Sequence, residues 1–229
     1  MAEPNTTAMA LHMHTLDRLM RSAPVIPVLV VDELAHAVPL ARALVAGGLR
    51  VLEFTLRTPV SLDAVKAVSE AIPDAFVGTG TVRTPAQLQA SVDAGACFAV
   101  SPGAGPRLLD AAADCPIPLL PGAVTASEVM ALEERGHTRQ KFFPAVASGG
   151  PAVLKAFSSP LSGVVFCPTG GITVQTAPTW LALPNVACVG GSWVAPKALV
   201  HAGDWAAITA LAQAAVALGQ PSPTRNKPG

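Results

Sequence analysis

Two charged residues inside strand-like apolar runs are the features of this sequence that could do chemistry. Glu53 lies in the run Val51–Arg57, and Lys141 lies in the run Arg139–Ala145. Of the five lysines and fifteen acidic residues in the chain, only these two fall within a predicted strand. Because side chains alternate between the two faces of a strand, Glu53 and Arg57 share one face, and the apolar residues between them share the other. The alternation therefore predicts that Glu53, Arg57 and Lys141 point into the interior of the sheet.

An amine, a carboxylate and a guanidinium in one interior suit covalent chemistry on a keto acid. Burial and a neighbouring cation both favour the neutral form of an amine, which can attack a ketone and form an imine. A nearby carboxylate can transfer protons, and a planar guanidinium binds a substrate carboxylate. This combination predicts an aldolase that acts on a small keto acid. The alternative is a buried ion-pair network without chemistry, since such networks also occur in purely structural settings.

The elements that would position these residues are eight short runs rich in β-branched residues. Their starts are separated by 20 to 26 residues, and segments rich in Ala and Leu lie between most of them. Strands that alternate with helices at this period predict a parallel α/β sheet, and eight such units favour a (β/α)8 TIM barrel. No Gly-x-Gly-x-x-Gly follows the first run, which counts against a dinucleotide-binding fold. The predicted strands are 25–31, 51–57, 76–82, 98–103, 118–124, 139–145, 164–169 and 186–193.

The segments outside the eight runs complete the predicted domain. Thr6–Ser22 is predicted to form an extra N-terminal helix that covers the amino-terminal end of the barrel. Asp204–Gly219 is predicted to be the eighth helix, with Asp204 as the N-cap and Gly219 as the C-cap. Residues 1–219 are therefore expected to form a single barrel domain, and residues 220–229, with three prolines, a disordered tail.

Two glycine-rich stretches end the seventh and eighth runs. They are Pro168-Thr-Gly-Gly171 and Gly190-Gly-Ser192. Barrels commonly bind phosphate in the loops after these two strands, and glycines let the backbone N–H groups approach the phosphate oxygens. Neither stretch contains a lysine, so we expect backbone N–H groups and hydroxyls to hold the anion. The alternative is a pair of ordinary tight turns.

Composition and charge exclude several other classes of function. The chain has 15 basic and 15 acidic residues and no net charge, so it lacks the field that attracts nucleic acid or an anionic membrane. Its longest uncharged stretch, 156–196, is interrupted by five prolines and cannot form a spanning helix. No secretory signal is visible, which favours the cytoplasm. The four cysteines form no Cys-x-x-Cys pair, so we expect no disulfide framework and no metal site.

At these residues the sequence resembles the 2-keto-3-deoxy-6-phosphogluconate (KDPG) aldolase family, whose members often also cleave 4-hydroxy-2-oxoglutarate (KHG). The ordered set of matching stretches spans about residues 20 to 215, nearly the whole chain. The stretches are Pro24–Val28, Ala43–Gly48, Arg50–Thr58, Val77–Val82, Ser101–Gly103, Lys141–Ala145, Phe166–Ile172 and Gly190–Trp193.

The resemblance implies a role for each matching site residue. Lys141 would form the Schiff base, Glu53 would shuttle protons, and Arg57 would bind the substrate carboxylate. Thr81 and Pro102 would lie in the substrate pocket, and the phosphate site would include Thr169, Gly170, Gly171 and Ser192. From the strand patterns, we also expect Phe143, on the same face as Lys141, to bind the substrate, and Gly190 and Gly191 to bind the phosphate. The resemblance also implies a homotrimer that needs neither a metal nor a cofactor and acts on a phosphorylated keto-acid sugar. One departure is visible, because family members often carry Glu after the Phe-Pro-Ala stretch, where this chain has Val146.

Two other functions remain open on sequence grounds. A barrel decarboxylase or isomerase could use Lys141 for electrostatic or acid–base work without a covalent bond. A non-catalytic barrel could bind a sugar phosphate with the same loops. Both differ from an aldolase in one respect that can be measured, because only a Schiff-base enzyme forms a covalent adduct with a keto acid.

Overall fold

A computed structural model describes residues 6–219, in which strands alternate with helices along the chain. The strands are β1 (Val25–Leu29), β2 (Val51–Thr55), β3 (Phe76–Gly80), β4 (Phe98–Val100), β5 (Leu119–Leu120), β6 (Gly122–Ala123), β7 (Arg139–Phe142), β8 (Val165–Pro168) and β9 (Val189–Gly191). The helices are α1 (Thr6–Arg21), α2 (Leu34–Ala46), α3 (Ser61–Ala71), α4 (Pro85–Asp93), α5 (Pro106–Ala113), α6 (Ala126–Glu134), α7 (Pro151–Phe157), α8 (Ala177–Leu181), α9 (Lys197–Ala202) and α10 (Trp205–Ala217). The predicted tail, residues 220–229, lies outside the described residues.

All strand pairings are parallel, and the sheet is curled. Six strands follow the order β5-β4-β3-β2-β1-β9, and three follow the order β6-β7-β8. β5 and β6 are consecutive pieces of one predicted strand, separated at Pro121, which has no N–H to donate to the ladder. Single parallel bridges also join Phe166 to Val186 and Thr169 to Gly190. The prediction of an α/β fold with a parallel sheet is confirmed.

The two faces of the sheet bury two separate apolar clusters. Leu52 and Phe54 of β2 belong to the larger cluster, which the surrounding helices share. The opposite face carries Val51 in a second cluster, together with Leu16 and Met20 of α1. The amino-terminal end of the interior is therefore apolar and packed against α1, and the polar inward residues lie further along the strands.

An ion pair fixes α1 at the start of β7. Arg139 Nε lies 2.8 Å from Asp17 Oδ1, and both side chains are partly buried. Arg139 is two residues before Lys141 on the same strand, but it faces the helix at the amino-terminal end. Its charge is therefore satisfied away from the region where Glu53 and Lys141 meet.

The helices differ from the prediction at the end of α10 and by one additional helix, α9. Helix α2 begins at Leu34 after Glu33, and the nearby Asp32 carboxylate accepts a hydrogen bond from Lys197 Nζ at 3.1 Å. Asp204 does cap α10, accepting from the Ala207 N–H at 3.0 Å, but the helix ends at Ala217. The predicted C-cap Gly219 therefore lies past the helix end. Helix α9 was not predicted, because its six residues are too few to show a helical period.

No helix in the described part of the chain has the length and apolar character needed to cross a membrane.

Candidate active site

Glu53 and Lys141 meet inside the curled sheet, although 88 residues separate them in the chain. The Lys141 Nζ lies 3.3 Å from the Glu53 Oε1, and each side chain is only 5% exposed. Two opposite charges at this distance stabilise each other, whereas either one alone in a buried position would cost several kcal/mol. The pair is therefore a charged centre in an interior that is otherwise largely apolar.

Packing on the outer face holds each of these side chains inward. On β2, Leu52 and Phe54 are buried against the helices, so the residue between them must point the other way. On β7, Gln140 Nε2 donates to the Val129 and His137 carbonyls at 3.1 and 2.9 Å, which holds that side chain outward. Lys141 consequently faces the interior, as the alternation predicts.

Phe143 follows β7 and lies beside the amine. The Lys141 Nζ is 5.4 Å from the centre of the Phe143 ring, and the ring is half-buried. An aromatic face at this distance attracts a cation and also excludes water from one side of it. Phe143 therefore forms an apolar wall next to the amine.

Arg57 lies past the end of β2 and is exposed, whereas the sequence prediction placed it within the strand. β2 ends at Thr55, and the chain turns there, with the Arg57 N–H donating to the Thr55 carbonyl at 2.7 Å. The alternation of faces stops with the strand, so the side chain is exposed at the rim. Its Nε donates to Thr81 Oγ1 at 3.3 Å, and no ion pair involves Arg57 within residues 6–219. An exposed guanidinium of this kind is available to an anion.

Thr81 holds an unusual backbone conformation directly after β3. Its φ is +63°, in the left-handed region that a β-branched residue rarely adopts. Such a conformation costs of order 1–3 kcal/mol, and residues of this kind cluster at functional sites. It turns the hydroxyl towards Arg57. Pro102, half-buried, follows β4 on the neighbouring loop.

The two glycine-rich turns come together at the carboxyl ends of β8 and β9. Thr169 is buried and bridges to Gly190. Gly170 and Gly171 have φ values of +107° and +78°, which explains why both are glycine. Within residues 6–219, their N–H groups donate to no other protein group. These N–H groups and the exposed Ser192 are therefore free to bind an anion.

Val146 packs against the turn formed by Gly170 and Gly171. Its N–H donates to the Gly170 carbonyl at 3.1 Å, and a Cβ placed on Gly171 would lie 2.9 Å from the Val146 Cβ. The side chain is 48% exposed, which is unusual for valine. Because residue 146 is valine and not glutamate, it places no negative charge beside Gly170 and Gly171.

The buried Cys188 thiol near the centre is not a candidate for the nucleophile. Cys167 is paired with Lys141 across β7 and β8, and Cys188 is fully buried beside it. A hydrogen bond with Cys167, burial and the Glu53 charge all raise the pKa of the Cys188 thiol well above its ordinary value. The thiol therefore stays protonated. In the described part of the chain, no three His, Cys, Asp or Glu residues are arranged to hold a metal ion.

The model of the KDPG and KHG aldolase family matches residues 16–211, which is most of the chain. The chain belongs to this family. It is therefore an aldolase, a carbon–carbon lyase, and the family prediction made from the sequence is confirmed.

Three relatives place this aldolase among characterised proteins. It is 53% identical to a 2-dehydro-3-deoxy-phosphogluconate aldolase of Pseudoalteromonas atlantica over 194 residues, which cover 85% of this chain and 90% of the relative. The structure of the KDPG aldolase of Legionella pneumophila, with pyruvate captured as a covalent carbinolamine, superposes with a TM-score of 0.86 at 48% identity, covering 87% of this chain and 97% of that one. The structure of the KDPG aldolase of Zymomonas mobilis with 3-phosphoglycerate superposes with a TM-score of 0.87 at 47% identity, covering 92% of this chain and 99% of that one.

Proposed function

We propose that this aldolase cleaves KDPG to pyruvate and glyceraldehyde 3-phosphate through a Schiff base on Lys141, and that it also cleaves KHG to pyruvate and glyoxylate. The observation that carries the proposal is the buried contact of 3.3 Å between Lys141 and Glu53 in a member of this family. The covalent carbinolamine of pyruvate in the Legionella relative supports the same chemistry.

The cycle begins when the Lys141 amine attacks the C2 ketone of the substrate and forms a carbinolamine. Glu53 moves the protons that accompany loss of water, which leaves an iminium ion. The carboxylate then accepts the proton of the C4 hydroxyl as the C3–C4 bond breaks, and the electron pair of that bond passes to the iminium. Glyceraldehyde 3-phosphate leaves, and protonation and hydrolysis of the enamine release pyruvate. Because the iminium accepts the electrons, the reaction needs neither a metal nor a cofactor.

The two ends of the substrate bind on opposite sides of Lys141. Arg57 binds the carboxylate with the planar guanidinium that Thr81 orients, and Pro102 and Phe143 line the pocket between. The phosphate binds at the glycine-rich turns, where the binding groups are Thr169, Gly170, Gly171, Gly190, Gly191 and Ser192. The unpaired N–H groups of Gly170 and Gly171 support the assignment. The Zymomonas relative, solved with 3-phosphoglycerate, shows that a member of this family can take up a phosphorylated carboxylate.

We also propose that the curled sheet closes into a complete (β/α)8 barrel. On one side, β5 ends the six-stranded group and β6 begins the three-stranded group, and only Pro121 separates them in the chain. On the other side, the bridges from Phe166 to Val186 and from Thr169 to Gly190 connect the end of the three-stranded group to the segment that contains β9. Helix α1 is then additional to the eight units and covers the amino-terminal end. We further propose that residues 1–219 are one domain and that the enzyme is a cytoplasmic homotrimer, as the family resemblance implies.

Trapping with borohydride tests the covalent step. The protein is incubated with pyruvate and sodium borohydride, and its intact mass is measured. We expect one added pyruvate-derived group, which is absent in Lys141→Ala and retained in the matched control Lys155→Ala, an exposed lysine on α7. A parent protein that gains no mass while it cleaves KDPG would point to non-covalent lysine chemistry. A protein that neither traps pyruvate nor turns over KDPG would be a binding protein.

A further inference from the structure

The inner face of β3 carries two glycines. The residues that alternate with them face outward, because Val77 is buried in the larger cluster and Thr79 Oγ1 donates to Ser91 on α4 at 2.8 Å. Gly78 and Gly80 therefore present bare backbone to the interior. Branched apolar side chains normally fill such positions in a barrel, so each glycine leaves space that a neighbouring strand must occupy.

Different side chains occupy the two spaces. The Phe98 ring from β4 lies over Gly78, in the apolar second cluster. The Glu53 side chain from β2 lies over Gly80, because Glu53 is paired with Gly78 in the register and leans along the strands towards their carboxyl ends. A Cβ on Gly80 would overlap the Glu53 Oε1 and would lie 2.7 Å from its Cγ and 2.8 Å from its Cδ. The carboxylate can reach Lys141 along this route only while residue 80 has no side chain.

We propose that Gly80 is a positioning residue for the proton shuttle, since the space above it holds the Glu53 carboxylate against the Lys141 amine. The proposal rests on the roles proposed above for Glu53 and Lys141. Gly80 does not touch the substrate and acts only through Glu53. A side chain at this position would move the carboxylate away from the amine, and a misplacement of about 1 Å in a catalytic group can cost about 100-fold in rate.

Gly80→Ala and Gly78→Ala form a matched pair of variants on one face of one strand. Gly80 has no left-handed φ, so alanine is compatible with its backbone. We expect Gly80→Ala to lower kcat for KDPG by about 10- to 100-fold while KM changes less than about 3-fold, because substrate binding does not use the shuttle. Gly78→Ala presses on the Phe98 ring and should lower thermal stability while kcat stays within about 3-fold. Equal kcat values in Gly80→Ala and the parent would overturn the proposal.

A second substitution separates positioning of Glu53 from general damage to the strand. Glu53→Ala removes the three Glu53 atoms, Oε1, Cγ and Cδ, that a new Cβ at residue 80 would meet. Adding Gly80→Ala to Glu53→Ala should therefore lower kcat by less than about 3-fold further, far less than in the parent, because the carboxylate that it displaces is already absent. The drop in melting temperature caused by Gly80→Ala should also be smaller in the Glu53→Ala background than in the parent. Multiplicative losses of kcat would overturn the proposal, and so would an equal drop in melting temperature in the two backgrounds. Borohydride trapping of the parent is independent of these results, so a parent that fails to trap refutes the Schiff base and not the packing argument.

Discussion

His137 should make this protein less stable in mild acid. The residue lies between α6 and β7, is 2% exposed, and has a pKa lowered from 6.5 to about 4. Burial is the main cause, and the positive charges of His12 and Arg135 add to it. Within residues 6–219, the His137 Nδ1 has no hydrogen-bond partner that could stabilise the charged form. The folded protein therefore keeps this imidazole neutral under conditions in which the unfolded chain protonates it.

The size of the effect follows from the two pKa values. A group whose pKa is lower in the folded state contributes stability above its unfolded pKa, and this contribution falls as the pH drops towards the folded pKa. The difference between 6.5 and about 4, at 1.36 kcal/mol for each pH unit, corresponds to about 3.4 kcal/mol when both titrations are complete. Between pH 8 and pH 5 the expected loss in the free energy of unfolding is about 2 kcal/mol, because His137 in the folded protein stays almost entirely neutral at pH 5.

Urea unfolding at pH 8 and pH 5, at one fixed protein concentration, measures this loss. His137→Leu has a similar volume and does not titrate, so its free energy of unfolding should fall by about 2 kcal/mol less than that of the parent over the same interval. His14→Leu is the matched control, because the His14 side chain is exposed on α1, and its pH dependence should follow the parent. If His137→Leu and the parent lose the same free energy between the two pH values, the argument from burial is refuted.

Further predictions concern the two ends of the substrate and the shuttle. Glu53→Gln should keep the fold and the binding of keto acids but lower kcat by about 100- to 10,000-fold, and turnover within a few-fold of the parent would make Glu53 a structural ion-pair partner only. Ser192→Ala should weaken the phosphorylated substrate by about 1 kcal/mol, measured as KM for KDPG against its unphosphorylated analogue. Gly171→Val should abolish use of the phosphorylated substrate but not trapping of pyruvate. An equal loss of activity towards KDPG and its unphosphorylated analogue in a folded variant would place the phosphate elsewhere.

The sequence alone determined the parallel α/β fold, the family and the direction in which Glu53 and Lys141 point. These features follow from local patterns, since strand alternation depends only on whether neighbouring side chains are apolar. Leu52 and Phe54 face the helices, so the alternation alone places Glu53 on the inner face, without knowledge of any distant contact. Family membership followed from short motifs whose order along the chain is specific.

The tertiary structure decided where those patterns stop and which distant residues meet. Arg57 reads as a strand residue in the sequence but lies exposed at the rim, because β2 ends two residues earlier in a backbone turn. The distance of 3.3 Å between Lys141 and Glu53, and the space above Gly80 that allows it, depend on the register and curl of three separate strands. Register is set by pairing between segments far apart in the chain, so alternation can assign each side chain to a face but cannot bring two of them to hydrogen-bonding distance.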